Sequence, residues 1–149
     1  MKNLTTHWRP KPIIRTKSLA VIWRNDAILV CAIPDDNGAV KGWRPLGGTV
    51  EFGEPSKQTV IRELDEEISA SVASAELLGV VENLYLHHGE QGHEIVFLHA
   101  VTLNDAGLAC ADEFVVDDEG TRFTCAWVPV SAFRSGKTQL FPDGLLALL

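Results

Sequence analysis

An α/β fold with a mixed sheet is predicted by three features of the chain. Apolar, β-branched runs recur in pairs separated by turn residues. One segment of helical periodicity, residues 55–68, stands alone among them. The strands therefore come as hairpins around one long helix, and a regular βαβ alternation is not expected. The 149 residues fit one domain, 1–149. Residues 1–14 read as an extended N-terminal arm.

The elements follow in order. Residues 18–24 (SLAVIWR) and 27–33 (AILVCAI) are strands, with Asn25-Asp26 as a tight hairpin between them. Residues 34–42 (PDDNGAVKG) read as a loop by composition. Residues 43–51 begin irregularly and end as a short strand. Residues 55–68 form the helix, with Pro55 at its start. Residues 77–87 and 94–103 are strands joined by the polar turn 88–93 (HGEQGH). Residues 108–120, with five acids, read as a loop. Residues 121–130 form a last strand, and a short helix is expected after Asp143.

Composition excludes several functions. Hydrophobic residues make up 46% and charged residues 22%, an ordinary globular balance. A net charge of −7 argues against a nucleic-acid duplex or an anionic membrane as partner. A phosphate-bearing substrate would then need cations to correct the local field. No stretch reaches the roughly 20 apolar residues that span a bilayer, and residues 1–12 lack the apolar core of a secretory signal. Lys2, Arg9, Lys11, Arg15, Lys17 and Arg24 precede the first acid. They read either as a solvated arm or as a phosphate-facing strand start at Arg15 or Lys17. Of three cysteines, Cys31 and Cys125 sit in apolar strands and read as reduced core thiols, so the cytoplasm is the expected compartment. The histidines have no cysteine at ligand spacing, and zinc is not expected.

The helix carries the chemistry. At about 100° per residue, Val60, Ile61, Leu64 and Ile68 form a buried stripe. Glu63, Glu66 and Glu67, related by i, i+3 and i+4, form a second stripe beside it. Like charges so placed cost a helix a few tenths of a kcal/mol each. A hard divalent cation removes that cost, and Mg²⁺ takes carboxylates together with substrate phosphates. A solvated acidic face is the competing reading of the helix alone. The segment before it, Pro45-Leu46-Gly47-Gly48, is a glycine turn where backbone comes close to a neighbour. It feeds a helix start, a favourable place for phosphate and metal.

Gly48, five residues, Glu54, seven residues, Arg62-Glu63-Leu64, one residue, then Glu66-Glu67 resembles the box of the Nudix hydrolase family. The lead-in Gly47 to Glu54 (GGTVEFGE) also fits. The box covers residues 48–70, and it departs from the family where Ser69 stands for glycine and Ala70 for a bulky apolar residue. Serine in the left-handed conformation there would cost about 1–2 kcal/mol. The resemblance implies a Nudix-like α/β/α sandwich. It implies hydrolysis of a diphosphate bond in a small nucleotide-like substrate, a nucleoside triphosphate or a nucleoside diphosphate linked to another group. By resemblance, Glu63, Glu66 and Glu67 hold Mg²⁺, or Mn²⁺ as substitute, with the backbone carbonyl of Gly47. Arg62 is the arginine that holds a neighbouring box carboxylate, or else an i, i+4 partner of Glu66. Gly48 and Glu54 support the box.

Outside the box, a general base must reach the attacking water. Glu94, opening a strand after the 88–93 turn, is the first candidate and Glu119 the second. Arg44, beside the glycine turn, is a candidate for a substrate phosphate. Tyr85 and Trp43 are candidates to stack on a base. The alternative function is a nucleotide-sensing Nudix-like module without catalysis. Such a module would be expected to lose box carboxylates, and all are present here. A homodimer is left open.

Overall fold

The computed structural model describes residues 8–104, 111–118 and 121–149. The elements run β1 (Ile14–Val21), β2 (Trp23–Arg24), β3 (Ala27–Pro34), β4 (Val40–Thr49), α1 (Ser56–Ile68), β5 (Val72–His87), β6 (Glu90–Leu103), β7 (Glu113–Asp118), β8 (Thr121–Pro129), α2 (Val130–Arg134) and a 3-10 turn, Leu146–Leu148. The strands hydrogen-bond in the order β5-β6-β1-β4-β3-β8-β7, with β2 paired to β3. β1 and β6 are parallel, while the other pairings are antiparallel. The sheet is mixed, as expected.

Strand alternation gives the sheet two apolar faces. On one, Val60, Leu64 and Ile68 of α1 pack on Ala20, Ile22, Leu29 and Leu46. On the other, Leu19, Val21, Ile28 and Val30 pack against Val130 and Phe133 of α2 and against Leu140 and Leu145. That is the α/β/α layering. Each fully buried aliphatic side chain contributes about 1.5–3 kcal/mol. On the helix, Val60 and Leu64 are fully buried, but Ile61 is only partly so, and Thr59 takes a buried place instead.

A polar contact sets where α1 begins. The buried hydroxyl of Ser18 on β1 donates to the Ser56 carbonyl at 2.8 Å. His99 of β6 lies 3.3 Å from the Ser18 hydroxyl and 3.5 Å from that of Ser56. Burial pushes the His99 pKa down, so the neutral ring is favoured in this contact.

The structure corrects several expectations. The loop expected at residues 34–42 narrows to 35–39, because β3 runs to Pro34 and β4 starts at Val40. The turn after β5 has two residues, 88 and 89, with His88 at φ 51° and Gly89 at φ 80°. β5 and β6 then pair from His87↔Glu90 to Val72↔Leu103, so long-range pairing carries residues that look like turn by composition. β7 forms inside the acidic segment 108–120 by pairing with β8. α2 follows Pro129, where only the end of a strand was expected. The helix expected after Asp143 is the 3-10 turn. Cys31 and Cys125 are not separate thiols. They face each other across β3 and β8 and form a disulfide, which removes the cysteine argument for a cytoplasmic setting. Among the described residues no helix is long and apolar enough to cross a membrane.

Candidate active site

β4 ends at Thr49, and residues 50–55 carry the chain to α1. Gly47, at φ 152°, pairs with Leu19 of β1, and a Cβ there would collide with the Ser18 carbonyl. A Cβ on Gly48 would overlap the Glu63 carboxyl. The paired glycines thus let β1 close on β4 from one side and the helix carboxylate approach from the other.

Arg62 is the hub. Its Nε donates to Glu54 Oε2 at 2.8 Å and its Nη2 to Glu54 Oε1 at 3.0 Å, a two-pronged pairing. Nη1 donates to Glu63 Oε1 at 3.0 Å and to Glu66 Oε2 at 3.4 Å. Nη2 also reaches the Thr49 carbonyl at 3.2 Å, tying the helix to the end of β4. Arg62 thus contacts a box carboxylate, Glu54, and at i, i+4 also Glu66, with Glu54 the stronger partner. Thr59 adds a hydroxyl bond of 2.6 Å to Glu54 Oε1. The Arg62 bonds, then that of Thr59, pull the Glu54 pKa down to about 2. Chiefly the same Glu54 bonds raise the pKa of Arg62.

The three carboxylates of α1 differ in setting. The Glu63 side chain is 13% exposed and that of Glu66 57%. Glu67 interacts with its surroundings, yet its Oε1 atom is buried and accepts no hydrogen bond. Among the described residues, no three His, Cys, Asp or Glu side chains converge as a ready-made metal cage. The Arg62 guanidinium pairs with Glu63 and Glu66 as well as Glu54, so its single charge offsets only part of theirs. The donor set is nonetheless all oxygen and anionic along one helix face, which suits a hard divalent cation.

A second group lies on β1, β5 and β6. Glu94 is the fifth residue of β6, paired with Arg15 of β1 and Asn83 of β5, so it does not open the strand. Its Oε2 accepts from Arg15 Nη2 at 3.2 Å. The Tyr85 ring lies over Gly92, where a Cβ would overlap it. Burial first, and the charge of Glu94 second, push the Tyr85 pKa up. The Arg44 guanidinium stands 5.4 Å from the Phe123 ring centre. Its Nη1 contacts the Pro45 carbonyl at 3.5 Å. Trp43 donates from Nε1 to Thr138 Oγ1 at 3.1 Å, a bond to the C-terminal segment. Glu119 lies outside the described residues. Glu51, part of the lead-in that fits the family, lies 3.8 Å from Arg62 Nη2. Thr59 was not singled out by sequence, and its only signal is placement five residues after Glu54.

The sequence matches the NUDIX domain family over residues 14–149. Among solved structures, the chain is similar to the MutT protein of Methanosarcina mazei Go1, with a TM-score of 0.58 at 19% identity, covering 91% of this chain and 89% of that one. It is similar to a NUDIX hydrolase from Nitrosomonas europaea, with a TM-score of 0.56 at 19% identity, covering 94% and 86%. It is also similar to an ADP-ribose pyrophosphatase from Streptococcus suis 89-1591, with a TM-score of 0.55 at 15% identity, covering 90% and 87%. At these identities the likeness is one of fold. No curated protein matches the chain.

Proposed function

The chain belongs to the NUDIX family, and we propose that it is a divalent-cation-dependent hydrolase of a diphosphate bond in a small nucleotide-like substrate. The observation that carries this is the α1 face, where Glu63 lies against Gly48, Glu66 and Glu67 follow one turn on along the same helix, and Arg62 ties that helix to β4. Glu63, Glu66, Glu67 and the Gly47 carbonyl are the groups that would hold Mg²⁺ or Mn²⁺, which when bound neutralises phosphate charge and orients water.

The chain's own residues do the rest. Arg62 and Glu54 keep the helix face in register with β4, and Gly48 leaves room for the Glu63 carboxyl. Glu94 is the proposed base, oriented by Arg15. Tyr85, whose pKa burial pushes up, is proposed to stack on or hydrogen-bond the substrate. Arg44 is proposed to meet a substrate phosphate on leaving its contact with Phe123.

The test is a panel of nucleoside triphosphates, dinucleotides and nucleotide sugars, assayed with Mg²⁺ for phosphate and nucleotide release. Release from one class, abolished by chelation and restored by Mg²⁺, is expected. Binding without release would favour a sensing module instead. Release that survives thorough chelation would sink the cation-dependent reading.

A further inference from the structure

β1 brings two cations to one side of the sheet. Arg15 and Lys17 are two residues apart on the strand, so their side chains leave the same face. Arg15 is taken up by Glu94 at 3.2 Å. Lys17 makes no hydrogen bond and no ion pair among the described residues, although it is partly buried. Part of the residue remains exposed.

The position of Lys17 ties it to the carboxylate helix. Lys17 pairs with Thr49 across β1 and β4, and the Thr49 carbonyl accepts from Arg62. The next pair is Ser18 with Gly48, the residue against which the Glu63 carboxyl rests. The charges that act on the ammonium come from Arg44, Glu94, Arg15 and Glu63, so the proposed base and one helix carboxylate are both within its electrostatic reach. Burial, then Arg44, lowers its pKa to about 8.

A partly desolvated ammonium without an acceptor costs folding free energy. A ligand that supplies the acceptor removes that cost. Phosphate oxygens are strong anionic acceptors, and lysine binds them as a compact point charge. We infer that Lys17 binds a non-bridging oxygen of the substrate's diphosphate and so positions that group between Glu94 and the α1 carboxylates. The inference rests on reading the chain as acting on phosphate-bearing substrates. It also selects between the two strand cations, since Arg15 already has its acid.

The test is calorimetric titration of the full chain with imidodiphosphate, a non-hydrolysable diphosphate, in Mg²⁺. Lys17→Met should weaken binding about tenfold or more, and Lys17→Arg should restore part of it. Without the probe, Lys17→Met should melt at or above the wild-type temperature, because an unsatisfied charge has been removed. Wild-type affinity in Lys17→Met, no probe binding by the wild type, or a Lys17→Met chain that melts lower or fails to fold would each overturn the inference. Lys17-dependent binding with no release from any nucleotide keeps the inference and defeats the hydrolase reading. Hydrolysis with a KM unchanged by Lys17→Met does the reverse.

Discussion

Around Arg62, Glu54, Glu63 and Glu66 share one guanidinium, and its three nitrogens all donate. On β1, Lys17 has burial and charge around it but no bond among the described residues. The first region spends its charges on structure. The second holds one back. Electrostatic interactions differ in this way when one set must keep a helix in place and another must meet a ligand. In α1 the two purposes overlap, since Glu63 is both an Arg62 partner and a proposed cation ligand.

The largest expected effect falls on the proposed cation ligands. Glu66→Gln with Glu67→Gln should leave a folded chain and lower kcat by roughly a hundredfold or more, since an amide is a poorer ligand for a hard cation. Circular dichroism checks the fold and the substrate panel checks kcat. Full activity in the double variant would remove these two residues from the site.

The next effect concerns the base. Glu94→Gln should lower kcat with little change in KM, because the lost contact is made chiefly in the transition state. The acidic limb of the pH–rate profile should disappear with it. An unchanged profile would move the base elsewhere, with Glu119 next.

Arg62 tests the structural half of the comparison. Arg62→Ala leaves Glu54 and Glu63 without their guanidinium, and the melting temperature should fall by on the order of 5 °C. Arg62→Lys should not rescue it, since an ammonium lacks the planar fork. The same pairing sets a pH dependence. Glu54 has a folded pKa of about 2, below its ordinary 4.5. Its contribution to stability is therefore present above about 4.5 and is lost as pH falls toward 2. The difference in melting temperature between wild type and Glu54→Gln should shrink across that window. A constant difference from pH 7 to pH 2 would contradict the assignment.

The smallest effect lies one turn past the carboxylates. Ser69 closes α1 at φ 52° and ψ 34°, the left-handed region, and its N–H bonds the Asp65 carbonyl at 3.0 Å. The family's glycine is replaced here, but its backbone shape is kept. Ser69→Gly should raise stability by about 1 kcal/mol and leave kcat unchanged. A loss of stability would mean that the serine side chain contributes more than its conformation costs.

The sequence by itself determined the parts that depend on near neighbours. The α1 stripe, the three carboxylates and the Asn25-Asp26 turn follow from spacing over a few residues, where periodicity and turn chemistry act. The box spacing likewise placed Glu54 and Arg62 in one unit, although not as bidentate partners. Only the tertiary structure decided what depends on strand pairing. The acidic segment becomes β7 because β8 offers it a ladder of hydrogen bonds. Glu94 meets Arg15 because β1 and β6 are parallel in that register, and Cys31 meets Cys125 because β3 and β8 are antiparallel in theirs. Lys17 stays unbonded because that same register gives its neighbour on β1 the acid. Such choices are made between residues tens of positions apart, where a one-residue slip would turn every side chain to the other face.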